Sequence, residues 1–405
     1  MKASLYHNRL FLFGHIYYLI LPLIVVISTR WEDYPAMYHL YTYYKDRYFL
    51  GYLTIALLML LFFMIGSYFP LIMKKNKDKI MMKKKENGMV PGKALMIVSV
   101  PVFLLAQYVI ITNRSQLFQG YMFEDEERTF QGPLTTICMV FLFLYLYLKN
   151  TDCQKYVKKF ILLALIELTI ALLSFGSRMY VMVTFIAILL FLIDNKKISI
   201  RKSFIWVSVI AFLALAFGIW RKGSNDISID SLVFVGIMEP AYTWISAISM
   251  YDMNELPWLS IPYDFFMTIV NFIPSIILPE KNEWLVPELL KYDAPLGATS
   301  VFYSLISNFG ILGSFIATFF LGYYLTYVRL YWRTIFGNTY YYCICGVIPF
   351  QLFRDPVVTV NKMFFFNVLI LPLILLKLSR YLHKISRSMR LYFKQSRQTI
   401  SVIGL

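Results

Sequence analysis

Ten apolar runs of 15 to 26 residues recur along this chain, and polar or basic segments separate them. The hydrocarbon core of a bilayer, about 30 Å thick, is crossed by a helix of about 20 apolar residues. Backbone groups inside the bilayer must be satisfied within the segment, which favours helices over other structures. The sequence therefore predicts an all-α polytopic integral membrane protein with about 10 transmembrane helices. We place them at 10–28, 49–73, 94–112, 133–148, 160–175, 179–193, 204–220, 303–328, 339–353 and 363–378, within a single transmembrane domain over 1–405.

The composition excludes a set of soluble domains. Apolar residues make up 59% of the chain and charged residues only 15%, against about 25% charged in average proteins. The net charge of +16 does not indicate nucleic-acid binding, because the lysines and arginines lie between apolar runs and not on one face of a soluble module. We expect membrane lipids, and no nucleic acid, as partners.

The distribution of positive charge predicts the orientation in the membrane. A cytoplasmic N-terminus places 27 of the 39 lysines and arginines on the cytoplasmic side, as the positive-inside rule requires. Both termini are then cytoplasmic, and residues 379–405 form a basic cytoplasmic tail that anionic lipid headgroups attract. The expected location is a membrane that the chain crosses many times.

The longest predicted loop, 221–300, lies between helices 7 and 8 on the extracytoplasmic side. It contains two apolar stretches, 232–250 and 263–278, whose intervening segment has acids but no lysine or arginine. Such a segment does not suit the cytoplasmic side, so we expect short re-entrant or interfacial helices instead of two more spans. Pro240 and Pro274 interrupt the two stretches and favour broken helices.

Four cationic residues end or begin predicted helices on the extracytoplasmic side: Arg178, Arg221, Lys222 and Arg354. Arg178 follows a short turn between two short helices, so it sits below the outer surface, where a guanidinium needs an anion or a water-filled cavity. Snorkelling, or pairing with an acid of the outer loop, would explain it equally well. Helix-dipole stabilisation alone would explain Arg221 or Arg354. Together, three arginines at one depth can hold a pyrophosphate without a metal.

Two acids of the outer loop are candidate general bases. Glu239 and Asp264 lie in otherwise apolar stretches, where desolvation suits a carboxylate to accept a proton, although either could instead anchor a short helix. Asp355 directly follows Arg354, and we expect it to be a local partner of that arginine. We predict no metal site, because the acidic run from Glu124 to Glu127 lacks a cation-binding pattern, and no cofactor.

Several enzyme classes are excluded by what the sequence lacks. The four histidines form no close group, and no H-E-x-x-H, G-x-S-x-G or Walker pattern is present. The chain is therefore not expected to be a metalloprotease, an α/β-hydrolase or an ATPase.

Short glycine-bearing motifs after the long loop carry a family resemblance. Residues 297–300 read Gly-Ala-Thr-Ser, residues 308–313 read Asn-Phe-Gly-Ile-Leu-Gly, and residues 321–323 read Leu-Gly-Tyr; upstream, 175–178 read Phe-Gly-Ser-Arg. With the helix count and the position of the loop, this pattern resembles the O-antigen polymerase family, the Wzy-type oligosaccharide repeat-unit polymerases. Arg178 and Arg354 match the family pattern, but Asp355 stands where a glycine is expected.

The resemblance implies a GT-C-like, metal-independent membrane glycosyltransferase. Such an enzyme moves a growing glycan from undecaprenyl pyrophosphate to a new lipid-linked repeat unit on the outer face of the membrane. The location that the resemblance implies is the bacterial cytoplasmic (inner) membrane, crossed many times. Arg178, Arg221, Lys222 and Arg354 would bind pyrophosphate, and Glu239 or Asp264 would act as base. A chain-length regulator and a flippase are the expected protein partners.

Three other functions remain open at this point. An O-antigen ligase uses the same donor, but we would expect a histidine in the long loop, and 221–300 has none. A flippase or exporter would have short outer loops and more charges within its spans. A structural or lipid-sensing scaffold would need neither the long outer loop nor the group of arginines.

Overall fold

The computed structural model of the protein describes residues 4–27, 49–74, 90–118, 131–221, 228–253, 256–273, 277–284 and 298–402. All regular secondary structure in these ranges is helical, which confirms the predicted all-α fold for the described residues. The helices are α1 (6–27), α2 (Phe49–Lys74), α3 (Gly92–Thr112), α4 (Gln131–Lys149), α5 (Lys155–Ser174), α6 (Arg178–Asp194), α7 (Ile200–Arg221), α8 (Ile229–Met253), α9 (Tyr263–Asn271), α10 (Lys281–Trp284), α11 (Val301–Tyr331), α12 (Ile335–Val347), α13 (Gln351–Arg354) and α14 (357–402).

Each of the ten predicted spans falls on one or two of these helices. Among the described residues, seven helices are long and apolar enough to cross a membrane, namely α2, α3, α4, α7, α8, α11 and α14. The protein is therefore a multi-pass membrane protein. The total of about ten spans and the side on which the termini lie stay predictions.

Helix α6 defines two ends of the bundle, which we call the Arg178 end and the Asp194 end. At the Asp194 end, Arg329 donates a hydrogen bond to the Asp194 carboxylate at 2.6 Å, Tyr6 donates another at 3.1 Å, and Tyr342 donates a third. Helix α1 thus begins where α6 and α11 finish, and α12 passes beside the same place at Tyr342.

Helices α2 and α11 pack backbone against backbone. A Cβ atom added at Gly66 would lie 2.0 Å from the carbonyl oxygen of Phe319, and one added at Gly322 would lie 2.2 Å from that of Phe63. Small residues permit such close approach between helices in a membrane, where van der Waals packing drives association. The Gly322 of the third motif is therefore a packing residue.

Helix α11 is broken at Gly310, the glycine of the second motif. Gly310 has φ 75° and ψ 176°, a backbone region that only glycine adopts readily. The non-helical segment 257–260 lies against the break, where Ile311 and Leu312 donate their N–H groups to the carbonyls of Pro257 and Trp258 at 3.0 and 3.1 Å. The segment replaces the hydrogen bonds that the helix gives up, so the motif anchors the region after α8 to α11.

Helix α8 differs from its prediction. The stretch 232–250 was expected to form a short helix broken at Pro240, but α8 is one helix of 25 residues that contains Pro240. Because proline has no N–H, the carbonyl of Gly236 loses its helical donor. The hydroxyl of Tyr17 donates to that carbonyl at 2.7 Å instead, and the helix continues. The predicted break at Pro240 was therefore wrong. In the second stretch, α9 has 9 residues and is short, as expected. Pro274 lies outside the described residues.

The partners of α8 lie towards the Arg178 end of the bundle. Trp244 donates its indole N–H to the carbonyl of Leu19 at 3.1 Å, and Ser246 donates to the carbonyl of Ala298, just before α11, at 2.5 Å. The middle of α8 consequently connects α1 to the start of α11. This arrangement brings the acid that precedes Pro240 to the ends of several other helices.

A substitution at Gly310 tests the anchoring at the break in α11. We expect Gly310→Ala to destabilise the protein by at least about 2 kcal/mol, because alanine is strained at this φ and its Cβ would lie 2.6 Å from the backbone of Leu259. The melting temperature of the detergent-purified protein measures the effect. Gly132→Ala is the control, since a Cβ at Gly132 meets nothing within 4 Å; equal melting temperatures for the two variants would contradict the account.

Candidate functional site

The site begins at the tight turn that joins α5 to α6. Gly176 has φ 80°, and its N–H and that of Ser177 donate to the carbonyls of Leu173 and Leu172, both at 2.8 Å. This is the double hydrogen bond of a glycine-capped helix end. The chain therefore reverses within three residues, and α6 starts directly at Arg178.

Glu239 of α8 forms ion pairs with two arginines from different helices. Its Oε2 lies 3.6 Å from Nη2 of Arg178, and its Oε1 contacts Nε of Arg354 at the end of α13. Arg354 and Arg178 are 176 positions apart in the sequence, and one carboxylate connects them. The structure thus brings together three of the predicted site residues.

The backbone and side chain of Arg354 are both fixed. Asp355 accepts a hydrogen bond from Nη1 of Arg354 at 3.2 Å, so it is the local partner that the sequence predicts. The backbone N–H and hydroxyl of Thr299 both donate to the carbonyl of Arg354, at 2.9 and 2.8 Å. These contacts attach the arginine to the first motif, immediately before α11.

The ion-paired side chains are largely withdrawn from solvent. The exposed fractions of the side chains are 15% for Arg178, 14% for Glu239 and 28% for Arg354. An arginine that snorkels to the headgroups would be more exposed. Of the explanations open for Arg178, the structure shows pairing with an acid from the segment after α7.

The other predicted site residues are only partly described. Arg221 is the last residue of α7, and Gly218, three positions earlier, lies so close to Arg178 that an added Cβ would be 2.4 Å from Nη1. The last turn of α7 therefore adjoins the site, although only the backbone of Arg221 is described. Asp264 is the second residue of α9, likewise described only by its backbone, and Lys222 lies outside the described residues.

Several buried polar atoms at this end have no hydrogen-bond partner among the residues that the structure describes. They are Oγ of Ser177, the hydroxyl of Tyr18 and Oε1 of Gln351, one turn before Arg354. Helix α6 has no side-chain cap at its start. The N–H groups of its first turn therefore lie uncapped at the positive end of the helix dipole. Of these atoms, the hydroxyls of Ser177 and Tyr18 can donate a hydrogen bond to a ligand, whereas Oε1 of Gln351 can only accept one.

Sequence reasoning missed the tyrosines of α1. Tyr17 and Tyr18 lie in a π-helical segment, Ile16–Ile20, a local form that is frequent at functional sites. Tyr17 supports α8 through Gly236, and Tyr18 lies within electrostatic range of Glu239 and Arg354. The sequence did contain one indication, because Pro240 leaves the carbonyl of Gly236 without its helical donor. The sequence does not reveal which of the 31 tyrosines donates to that carbonyl.

The fold and the site define a multi-pass helical membrane protein with a buried, ion-paired arginine site at one end of its bundle. The sequence model of one family, described as O-antigen polysaccharide polymerase Wzy, matches residues 2–287. The chain belongs to this family and is a membrane protein of polysaccharide biosynthesis. The match includes Arg178 and Glu239 and ends before Arg354. Comparisons with curated proteins and with solved structures gave no match.

Replacing Glu239 tests whether the site accepts an anion. Glu239→Gln leaves two buried guanidiniums without their shared counter-ion, so we expect a loss of roughly 3 kcal/mol in stability. Inorganic pyrophosphate should restore the melting temperature of the variant. The increase should be larger than in the wild type, because in the variant pyrophosphate no longer competes with the Glu239 carboxylate for the arginines. The measurement is thermal unfolding in detergent with increasing pyrophosphate.

The matched control is Glu167→Gln, since Glu167 is an exposed acid within α5. Its melting temperature and its response to pyrophosphate should equal those of the wild type. An identical response to pyrophosphate in all three proteins would show that the arginines do not form an anion site.

Proposed function

We propose that this protein is a repeat-unit polymerase that transfers a growing glycan from undecaprenyl pyrophosphate to a new lipid-linked repeat unit. The reaction takes place on the outer face of the bacterial cytoplasmic membrane. Membership of the polymerase family supports the class of reaction. The observation that carries the mechanism is the convergence of Arg178 and Arg354 on Glu239 in a buried site.

The choice of donor follows from where the reaction occurs. Nucleotide sugars stay in the cytoplasm, so a polymerase that faces outward needs a sugar already activated by pyrophosphate. Pyrophosphate leaves with its negative charge stabilised, and it needs little help from an acid. Guanidiniums form bidentate, charge-assisted hydrogen bonds with phosphate groups, which suits Arg178 and Arg354 to this task.

The chemical step is a substitution at the anomeric carbon of the donor's reducing-end sugar. The acceptor hydroxyl oxygen forms a bond to that carbon while the bond from the carbon to the pyrophosphate oxygen breaks. The electron pair of the broken bond goes to the pyrophosphate, where the arginines stabilise the added charge. The hydroxyl proton goes to a carboxylate of the protein.

Glu239 is the carboxylate that we assign as base. Both of its oxygens face guanidiniums. A bound pyrophosphate would take over those guanidiniums, and the Glu239 carboxylate would then be free beside the donor to accept a proton. Asp264, in α9, is the alternative base. Arg221 and Lys222 would add positive charge from the end of α7.

Substitutions of the two arginines test the assignment. Arg178→Ala and Arg354→Ala should each leave expression intact and abolish long chains, with transfer reduced at least about 100-fold, the usual effect of losing a charge-stabilising donor. The length distribution of the polysaccharide on a gel measures this. Arg333→Ala, an exposed arginine towards the Asp194 end, is the control. Unchanged polymer length in the Arg178 or Arg354 variant would remove that residue from the site.

Incubation of the purified protein with a lipid-linked repeat unit distinguishes the classes of function. A ladder of products identifies a polymerase. Transfer only to a different acceptor would identify a ligase, and movement of the lipid across a vesicle membrane without new bonds would identify a flippase. Either of the last two results would contradict the proposal.

A further inference from the structure

A second pair of cations lies apart from Arg178 and Arg354. Lys281, in α10, is 97% buried, and Lys362, in α14, is partly buried. Lys281 donates to the carbonyl of Ile273, and the neighbouring Phe272 stacks on Phe366, one helical turn after Lys362, so both lysines belong to one junction of helices. Like charges repel, and burial strengthens the repulsion, so the pair is unfavourable unless an anion compensates it.

Contacts between α9 and the start of α14 determine where Lys281 and Lys362 lie in the fold. Asn361 donates its amide to the hydroxyl of Thr268 at 3.3 Å, and the rings of Phe272 and Phe366 stack with their centroids 4.8 Å apart. The ammonium of Lys281 donates to the carbonyl of Ile273, the residue after Phe272, at 2.5 Å. Both lysines are therefore held at the junction of α9, α10 and α14.

Neither lysine has an acidic partner among the described residues. Glu280 and Glu283, the nearest acids in the chain, have exposed side chains, and no ion pair joins them to Lys281. Burial lowers the pKa of Lys281, because the charged ammonium is desolvated without a counter-ion. An anion bound beside it would reverse this effect.

Local backbone structure adds a second indication. Lys362 is the first residue of a π-helical segment, Lys362–Ile370. Such segments are uncommon and frequently mark functional sites. The other π-helical segment in the described residues contains Tyr17 and Tyr18, which border the arginine site. The lysine pair thus shares this unusual feature with the first site.

We propose that Lys281 and Lys362 form a second pyrophosphate-binding site, which holds the lipid-linked acceptor while the arginine site holds the donor. The assignment of the two ligands rests on the proposed polymerase function. The acceptor reacts through a hydroxyl of its glycan, whereas its own pyrophosphate lies at the opposite end of that glycan. The two pyrophosphates must therefore bind at separate positions during transfer.

The spacing of the two sites along the chain suits this arrangement. Arg354 is followed by three residues up to Val357 and then by a helical turn up to Lys362. At about 3.4 Å for each extended residue and about 1.5 Å for each helical residue, the Cα atoms of Arg354 and Lys362 are at most about 18 Å apart. The two sites lie on different helices and are close enough for one pair of substrates to occupy both.

A count of bound ligand tests the site without relying on catalysis. The probe is radiolabelled farnesyl pyrophosphate, bound to the full-length protein in phosphatidylcholine nanodiscs, with empty nanodiscs as background. We expect two sites in the wild type. One site should remain in Lys281→Met/Lys362→Met, and one in Arg178→Met/Arg354→Met. Two sites in the lysine variant would overturn the inference.

Two controls separate an anion site from a structural role. Lys377→Met removes an exposed lysine from the same helix and should retain both sites. Lys281→Arg/Lys362→Arg keeps the charge and should also retain both sites, whereas a loss of binding there would point to packing and contradict the inference. Phosphatidylglycerol in the nanodiscs should not displace the probe; displacement at the lysine site would identify a general site for anionic lipids.

Blocked substrates separate the two roles. A repeat unit whose acceptor hydroxyl is methylated can act only as donor. A repeat unit with methylene in place of the oxygen between its anomeric carbon and the pyrophosphate can act only as acceptor. We expect Lys281→Met/Lys362→Met to raise the KM for the acceptor at least about 10-fold, as for loss of about 1.4 kcal/mol of binding, with an unchanged KM for the donor. Equal effects on both constants would contradict the assignment.

An absence of transfer by the wild type would refute the polymerase function, while the ligand count would still decide whether the lysine site exists.

Discussion

The arrangement of the Arg178 end depends on one buried carboxylate, that of Glu239. A buried charge is strongly unfavourable unless it is paired, and Glu239 is paired with guanidiniums from two other helices. This requirement fixes α8 against the start of α6 and the end of α13. The hydrogen bond from Tyr17 to Gly236 then holds the same stretch of α8 against α1, and Thr299 connects Arg354 to the start of α11.

The same pairing gives a physical basis for ligand binding. Two largely buried arginines are unfavourable without an anion nearby, and Glu239 compensates their charge together with Asp355, which pairs with Arg354. A pyrophosphate can take over this role and release the carboxylate. Binding of the donor and availability of the base would then be one coupled event. The lysine pair has no such acid among the described residues, which is why we propose that a ligand supplies the compensating charge.

The sequence predicted the helices well because hydrophobicity over about 20 residues is a local property. Arg178, Arg354 and Glu239 could also be selected, since charged residues are conspicuous in apolar surroundings. What the sequence did not reveal depends on distant contacts. The continuity of α8 through Pro240 requires Tyr17, and the break in α11 at Gly310 requires segment 257–260. The lysine pair was missed because Lys281 and Lys362 are 81 positions apart in the sequence and meet only through the packing of α9 on α14.

The central claim is that the arginines exchange Glu239 for the pyrophosphate of the donor. A cryo-electron microscopy structure with a donor whose glycosidic oxygen is replaced by methylene tests this claim most directly. The account predicts pyrophosphate oxygens within hydrogen-bonding distance, about 3 Å, of both Arg178 and Arg354, with the Glu239 carboxylate turned away from Arg354. A donor bound elsewhere, with both ion pairs of Glu239 intact, would contradict it.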